Sequence, residues 1–388
     1  MPTSLPRTSA TGAVLVLVDF PSDIGFAIQH LIGAFHAMGE RLTGDPDRVH
    51  FAFQALTKHP PALPAGFRNL VAFSTRDHSR ADVEALAEYV RRHGIDTVFA
   101  LDLKVEADFL GRLRSCGVHR IISYWGAPMS SPNTGLRLVA KRVEVTMRRA
   151  RPDLFIFESE AMRRLATGGR GIPVGETAVV PTGVDLARFE GEPPAPGAVH
   201  ARFGIPSDRR LILFVGHLHE RKGVATLLRA SGVIERRGRA ADVHVLFLGS
   251  RPGEEEAFAK DLPNDRSLIT IGGYHSDIAA LMRGAYVGCI PSTGWDSFPM
   301  SALEMQACGL PVVVSDLQGT PETIENGVSG IVTRAGDPEA LADALLTVVD
   351  DPGLRSRLSA GAVRRIRSRF TREHWIQGLV DAVRGTRL

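Results

Sequence analysis

The sequence predicts an α/β protein with two domains, each built around a parallel sheet. Short runs of buried-type residues alternate with helical segments in both halves of the chain, and this alternation is typical of parallel sheets. The first run, AVLVLVDF at 13–20, is typical of a buried strand, and the same pattern restarts at Leu211–Val215. A chain of 388 residues, 44% of them hydrophobic, is long enough to build two hydrophobic cores.

The composition restricts the class of partner. The net charge of +3 suits an anionic small-molecule substrate and does not require nucleic acid. Three widely spaced cysteines, Cys116, Cys289 and Cys308, favour a reducing cytoplasm over a disulfide framework or a zinc site. The first residues, MPTSLPRTSATG, lack a signal-peptide pattern, and no apolar run approaches the roughly 18 residues of a transmembrane helix. We therefore expect a cytoplasmic protein.

In the first half, the strand at 13–20 is followed by a loop that ends at Gly25 and by a helix to about Gly39. A strand, a glycine-containing loop and a helix N-terminus form the usual start of a Rossmann-like half. The absence of GxGxxG argues against a dinucleotide site. Further strands are predicted at 51–56, 70–73, 97–103, 120–125, 153–158 and 177–181, with helices near 80–93, 105–115 and 136–150.

The segment at 136–150 predicts an amphipathic helix. Its apolar side carries Leu136, Val139, Val143 and Met147, and basic side chains line the other side together with Glu144. A basic amphipathic helix can lie on an anionic membrane. A solvent-exposed polar face is more common, and the acidic residue among the basic ones favours that interpretation.

The second half repeats the pattern after a proline-rich linker at 192–197. The strand at 211–215 leads into the turn Gly216–Gly223 and a helix at 224–238. Additional strands are predicted at 243–248, 268–271, 287–290, 312–314 and 330–333, with helices from Ser276, at 300–308, at 337–349 and at 371–384. Asp337 and Pro338 are a favourable cap and first-turn pair for the helix that they begin.

The stretch VGCIPSTGWDSFPMSALEMQACGLPVVVSD, residues 287–316, is the most informative part of the sequence. It predicts a strand, a loop, a short helix that ends before Gly309, and a second buried strand. Asp296 in the loop and Glu304 on the helix are eight residues apart, and the helix N-terminus lies between them. Free N–H groups and the positive end of the helix dipole make such a terminus an anion site.

These residues resemble a known signature. Asp296-Ser-Phe-Pro-Met-Ser-Ala-Leu-Glu304 and the following Ala307-Cys-Gly-Leu-Pro-Val-Val313 are similar to the acidic-x7-Glu motif of retaining glycosyltransferases of family 4, which have the GT-B fold. Asp296 stands where the family usually has Glu, and Pro299 removes one possible amide donor. The resemblance covers the second half of the chain well and the first half loosely.

The resemblance implies two Rossmann-like domains that face each other across a cleft. Residues 1–188 would bind the acceptor, residues 189–370 would bind the nucleotide sugar, and a helix within 371–388 would return to the first domain, with Trp375 as an anchor between the domains. Pro181-Thr-Gly-Val-Asp185 resembles the family sequence that ends the first domain.

The turn Gly216-His-Leu-His-Glu-Arg-Lys-Gly223 resembles the phosphate loop of the family, with His217 in place of arginine. Lys222 would hold the donor diphosphate, Glu304 the ribose hydroxyls and Asp296 the donor sugar, and these three are the implied catalytic residues. His217 and His219 form an HxH pair, but no third ligand is near in sequence, which disfavours a metal. The implied donor-binding residues are Gly25, Gly216, His217, Arg221, Lys222, Gly273, Tyr274, Ser297, Phe298, Pro299, Met300, Ser301 and Glu304.

Tyr124 and Trp125 are the last two residues of the strand predicted at 120–125. Two interpretations stay open: the pair belongs to the core, or it forms a stacking platform for a ring-shaped acceptor. We take the pair as the candidate acceptor site.

The implied activity is that of a hexosyltransferase. It would move a sugar from a UDP- or GDP-sugar to a small-molecule or glycan acceptor with retention, in natural-product or glycoconjugate biosynthesis. The chain lacks an Asp-x-Asp motif in a strand–turn context, so no metal cofactor is implied. The alternatives are a non-transferring GT-B enzyme, such as an epimerase or phosphorylase, and a nucleotide-sugar-binding pseudo-enzyme. A nicotinamide-dependent enzyme is disfavoured because GxGxxG is absent.

Overall fold

The structure is a computed structural model that describes residues 12–148, 150–261 and 266–385. The sequence predicts no signal peptide at the N-terminus. Residues 1–11, most of that segment, lie outside the described residues. The chain divides into two compact units. The first comprises Met1–Pro181 and Glu373–Leu388, and the second comprises Thr182–Arg372.

The first unit is a seven-stranded parallel sheet covered by helices. The strand order is β3-β2-β1-β4-β5-β6-β7, so the direction in which strands are added reverses between β1 and β4. The strands are β1 Ala13–Pro21, β2 Val49–Ala55, β3 Leu70–Ala72, β4 Ile95–Leu101, β5 Arg120–Trp125, β6 Leu154–Phe157 and β7 Thr177–Val179. The helices that precede residue 181 are α1 Phe26–Thr43, α2 Arg80–Arg92, α3 Leu110–Ser115, α4 Gly135–Met147 and α5 Glu160–Leu165.

The second unit contains a six-stranded parallel sheet of order β10-β9-β8-β11-β12-β13. Its strands are β8 Arg210–Val215, β9 Val243–Leu248, β10 Ile269–Ile271, β11 Val287–Ile290, β12 Val312–Ser315 and β13 Gly330–Thr333. The helices are α6 Leu186–Phe189, α7 Ala198–Phe203, α8 Val224–Arg236, α9 Ile278–Arg283, α10 Met300–Ala307, α11 Pro338–Asp350 and α12 Pro352–Arg369. Both sheets therefore have the strand order of a Rossmann-like fold, as predicted.

The final helix, α13 Arg372–Arg384, belongs from Glu373 onward to the first unit. Trp375 is 1% exposed, and its ring stacks on that of His30 of α1 at a centroid distance of 5.2 Å. Arg41 and Glu373 form a bidentate ion pair between the same two helices. The return of the last helix to the first domain is confirmed. Trp375 itself packs in the core of the first unit.

Local signals account for several element boundaries. Asp337 accepts hydrogen bonds from the N–H groups of Glu339 and Ala340, so the predicted cap of α11 is confirmed. Gly309 follows α10 with a φ of +73°, the left-handed conformation that ends a helix.

Two predicted helix boundaries were wrong, and some helices were not predicted. The helix placed at 105–115 begins only at Leu110. Helix α9 begins at Ile278, with Asp277 in the capping position, and not at Ser276 as predicted. Helix α12, which was not predicted, covers eighteen residues before α13. No helix in the described part of the chain is long and apolar enough to cross a membrane.

Candidate functional site

The candidate site of the second unit lies where β8 and β11 are neighbours in the sheet. From β8 the sheet continues outward through β9 and β10 on one side, and from β11 it continues through β12 and β13 on the other side. Ligands of open α/β sheets bind in the crevice at the carboxyl ends of the strands at such a point. The loops that leave β8 and β11, residues 216–223 and 291–299, meet there. They carry most of the residues implied by the sequence.

Backbone contacts hold these two loops together. The N–H groups of Thr293 and Gly294 both donate to the carbonyl oxygen of Arg221 at 2.9 Å. Gly223 has a φ of +72°, and a Cβ placed on it would lie 1.7 Å from the carbonyl oxygen of Pro291. Only glycine fits this position. Lys222, which ends a short 3-10 helix at Glu220–Lys222, is thereby held against the loop that follows β11.

Lys222 and Asp296 form an ion pair inside this site. The distance from Lys222 Nζ to Asp296 Oδ2 is 2.8 Å, and the Ser292 hydroxyl donates to the same oxygen at 2.7 Å. Asp296 is 4% exposed. Its N–H donates to Gln318 Oε1, and its carbonyl oxygen accepts from the N–H of Gly319. In this structure Asp296 therefore fixes the position of the lysine ammonium group.

Helix α10 begins beside this pair. Ala302 donates its N–H to the carbonyl of Pro299, so the preceding N–H groups, those of Met300 and Ser301, are the first of the helix and have no intrahelical acceptor. They lie at the positive end of the helix dipole. This terminus is a candidate position for an anionic group of a ligand.

Glu304 lies one turn further along α10 and is partly buried. Desolvation by burial raises the pKa of its carboxyl group from 4.5 to about 7, and the positive charge of Arg188 on α6 offsets part of the shift. Within the described residues, no hydrogen bond to this carboxylate is found. A desolvated carboxyl group without a donor is available to a ligand hydroxyl.

The histidines of the loop after β8 contact protein groups. His217 Nδ1 lies 3.3 Å from Glu254 Oε1, and Glu254 Oε2 accepts the N–H of Leu218 at 2.9 Å. His219 Nδ1 accepts the N–H of Arg221. His217 still has an exposed side chain, but a carboxylate lies next to it. Gly216 has a φ of +153°. A Cβ placed on Gly249 would lie 3.2 Å from the backbone nitrogen of Gly216.

Trp295 is a residue of the site that the sequence reasoning missed. Its side chain is 42% exposed, and the guanidinium carbon of Arg221 lies 4.2 Å from the ring centroid. Arg221 Nη1 also donates to the carbonyl oxygen of Trp295. The cation–π contact and the hydrogen bond together orient both side chains next to Lys222 and Asp296. The signal was an aromatic residue directly before the first acid of the motif.

The remaining donor-site candidates of the second unit differ in exposure. Phe298 is 3% exposed, and its ring packs at 5.4 Å from that of Phe370, so its side chain belongs to the core. Tyr274 is 74% exposed and follows Gly273, whose carbonyl accepts the N–H of Gly249. Ser297 and Pro299 are buried, and Met300 and Ser301 are partly buried.

In the first unit, the structure decides between the two interpretations of Tyr124 and Trp125. Tyr124 is fully buried, and its ring contacts that of Phe35 at a centroid distance of 5.2 Å. Trp125 is 7% exposed within a separate hydrophobic cluster. Both side chains are core residues, so the predicted acceptor platform was wrong: neither ring has a face open to a ligand. Gly25 precedes α1, and a Cβ on it would meet open space.

Two carboxylates missed by the sequence reasoning lie at the carboxyl edge of the first sheet. Asp102 follows β4 with a φ of +52° and accepts the N–H of Gly126 at 3.1 Å. Burial raises the pKa of its carboxyl group to about 6, against the opposing effects of that hydrogen bond and of the charge of Arg76. Glu158 follows β6 and accepts the hydroxyl of Tyr124 at 3.1 Å. The only signal in the sequence was an acid after each strand.

The fold is that of the GT-B class. Solved structures that match nearly the whole chain include a glycosyltransferase from Rickettsia africae, with a TM-score of 0.79, 15% identity and coverage of 97% of this chain and 99% of that one. Another is Anabaena Alr3699/HepE in complex with UDP, with a TM-score of 0.75, 17% identity and coverage of 96% and 100%.

Residues 209–351 match the model of the family described as Glycosyl transferases group 1, and the second unit carries a domain of that family. D-inositol 3-phosphate glycosyltransferase of Saccharomonospora viridis is 35% identical over 217 residues, or 53% of this chain and 49% of that protein. The enzyme of the same name from Actinosynnema mirum is 30% identical over 268 residues, or 66% and 62%. The chain thus spans about half to three fifths of the length of these relatives.

Proposed function

We propose that this protein is a retaining glycosyltransferase that moves a hexosyl group from a UDP- or GDP-sugar to a hydroxyl group of a small-molecule or glycan acceptor. One observation carries the proposal. A lysine ammonium held by Asp296 and the N-terminus of α10 lie where β8 and β11 meet, and the desolvated carboxyl group of Glu304 lies one turn further along the same helix, inside the residues that match the group 1 family. The second unit would bind the donor and the first unit the acceptor.

The donor would lie with its diphosphate on Lys222 and on the first N–H groups of α10. As the bond between the anomeric carbon and the phosphate oxygen breaks, its electron pair remains on the diphosphate. Positive groups already directed at that oxygen stabilise the charge that develops there. Glu304 would accept hydrogen bonds from ribose hydroxyls, and Asp296 would hold Lys222 in place and contact the sugar.

The acceptor hydroxyl would form the new bond to the anomeric carbon on the face that the diphosphate leaves. Its proton would pass to a phosphate oxygen of the departing nucleotide, so the scheme requires neither a protein nucleophile nor a metal ion. Asp102, rather than Tyr124 and Trp125, is the side chain that we propose for contact with acceptor hydroxyls. The relatives are named for inositol 3-phosphate, which makes this compound one acceptor to test.

A thermal-shift panel tests the donor site. UDP, GDP, ADP, dTDP and the corresponding sugars are added in the presence of EDTA to the wild type, to Glu304→Gln and to Glu325→Gln, whose carboxylate is exposed. We expect one nucleotide to raise the melting temperature of the wild type and of Glu325→Gln but not of Glu304→Gln. The absence of a shift with every nucleotide would overturn the donor-site assignment.

Turnover with the nucleotide sugar identified in that panel tests the reaction. Transfer to an acceptor, with the anomeric configuration of the product read by NMR, is expected to show retention. Release of an altered sugar without an acceptor, or dependence on inorganic phosphate, would instead indicate a non-transferring enzyme. Binding without turnover across a broad acceptor panel would favour the pseudo-enzyme.

A further inference from the structure

Helix α4 of the first unit exposes its apolar side. The exposed fractions are 87% for Leu136, 53% for Val139, 50% for Val143 and 75% for Met147. Val145 is the buried residue of this helix. At about 100° per residue, the four exposed side chains fall within an arc of roughly 80°, and Val145 lies on the opposite side. We call these four residues the apolar stripe.

The exposure of the apolar stripe does not result from loose packing of α4 on the first unit. Gly171, with a φ of +82°, brings the chain so close to α4 that a Cβ on it would lie 2.8 Å from the backbone nitrogen of Arg142. The largely buried side chain of Arg170 donates to Glu144 at 3.0 Å and pairs with Glu106. These contacts fix which side of α4 faces the protein. The stripe therefore faces solvent in a defined orientation.

The charges of α4 are distributed unequally. Its one acidic side chain, Glu144, is bonded by Lys141 and by Arg170 and lies 3.6 Å from Arg148. Arg137 and Arg142 are exposed and have no acidic partner within ion-pair distance among the residues that the structure describes. Arg137 and Arg142 lie about 120° and 100° from the centre of the stripe and border it on its two sides, whereas Lys141 and Arg148 lie nearer the side of Val145. An occupant of this surface must be apolar at its centre and negatively charged at its margins.

We infer that α4 lies flat on an anionic phospholipid surface, with the apolar stripe in the acyl boundary and the basic side chains at the headgroups. A stripe about 16 Å long is far too short to span a bilayer but suits an interfacial helix. A second copy of this chain would bring a second set of the same positive charges to the interface, which argues against a dimer through this face. The inference differs from the sequence interpretation of α4, which favoured a solvent-exposed polar face, and it does not depend on the proposed reaction.

Vesicle flotation with the full chain tests the inference. The wild type is compared on vesicles of phosphatidylcholine alone and of phosphatidylcholine mixed with phosphatidylglycerol. We expect binding to the anionic vesicles that decreases at high salt, because the charges at the lipid surface are then screened. The double substitution Leu136→Ser with Met147→Ser is expected to weaken that binding by about tenfold or more. Circular dichroism and thermal unfolding verify that the variant is folded.

Two matched controls separate the stripe from general effects. Val174→Ser with Val328→Ser removes two apolar side chains that are 62% and 41% exposed elsewhere, and we expect it to bind like the wild type. Arg137→Gln with Arg142→Gln leaves the stripe intact but removes the two exposed positive charges that border it. It should weaken binding roughly tenfold.

The charge-matched control for that second variant is Arg357→Gln with Arg364→Gln, which alters two exposed arginines of α12 and should bind like the wild type. Equal binding of the wild type and the stripe variant, or binding that phosphatidylglycerol does not increase, would overturn the inference. So would a dimer in solution that the stripe variant converts to a monomer, measured by light scattering, because a second copy would then occupy the stripe.

Discussion

Lys222 Nζ lies 2.8 Å from Asp296 Oδ2, and the two residues come from loops that follow different strands of the second sheet. The Asp296 oxygen that accepts a hydrogen bond from the lysine ammonium group also accepts one from the Ser292 hydroxyl. The ammonium group of a lysine held in this way is already oriented before a ligand binds. Preorganised positive charge is more effective than charge that must be repositioned during the reaction. The first prediction follows from this pair.

Removing one partner of the pair should have a different effect from removing both. Lys222→Met leaves the largely buried Asp296 carboxylate without its cation, so we expect a loss of stability of about 3 kcal/mol and a fall in kcat of about 10²–10³-fold. In Lys222→Met with Asp296→Asn, the uncompensated charge is gone, so stability should recover while activity should not. Urea unfolding and initial rates measure both quantities. Lys260→Met, at an exposed site, is the control, and a double variant as unstable as the single one would contradict the prediction.

The carboxyl group of Glu304 should make stability depend on pH. Its pKa is about 7 in the folded protein against 4.5 for an unperturbed glutamate. Between these values the folded state holds a proton that the unfolded state has lost, so stability decreases as the pH rises through this range. Glu304→Gln removes the free-energy cost of ionising this carboxyl group in the folded protein, which is at most about 3 kcal/mol. The variant should therefore melt higher than the wild type at pH 8, and the difference should nearly vanish at pH 5. A difference that does not vary with pH would disprove this assignment.

Gly223 should be the glycine that tolerates replacement least. In Gly223→Ala, the new methyl group would overlap the carbonyl oxygen of Pro291, and the positive φ would add backbone strain. Gly238 has the same φ of +72° but open space at its Cβ position, so Gly238→Ala measures the strain alone, about 1 kcal/mol. We expect Gly223→Ala to cost at least about 2 kcal/mol more than this control and to abolish nucleotide binding. Equal losses in both variants, measured by chemical unfolding, would show that the loops adjust freely.

Asp102 should affect the acceptor and not the donor. In Asp102→Asn, the side chain keeps its size, and asparagine tolerates the positive φ of this position. If Asp102 contacts acceptor hydroxyls, kcat/KM for the acceptor should fall about tenfold or more while the affinity for the nucleotide stays unchanged. Burial raises the pKa of this carboxyl group to about 6. The variant should therefore also be more stable than the wild type at pH 8, and this difference in stability should be smaller at pH 4. An unchanged acceptor KM and kcat would remove Asp102 from the acceptor site.

Much of the fold was predictable from local patterns. Strand runs without a polar face, glycine turns and the cap at Asp337 act over a few residues, so they can be read directly. The helix boundaries that were wrong lie where such signals conflict or are absent, as at 105–109, where no cap marks the true start at Leu110. Tyr124 and Trp125 show the limit of reading side chains alone: the same pair of rings can form a core or a platform, and the packing of Phe35 and the cluster around Trp125 decide for the core.

The sequence by itself determined two α/β halves, the loop–helix unit around Asp296 and Glu304, and the lysine of the loop after β8, since each depends on spacing within a short segment. Only the tertiary structure decided which of these groups meet. The contact of Lys222 with Asp296, the stack of Arg221 on Trp295, the burial that shifts the pKa of Glu304 and the exposure of the apolar stripe on α4 all involve residues far apart in the chain or their surroundings. Their relation is set by the order of strands in the sheet and by the packing of helices on it, and neither is encoded in local spacing.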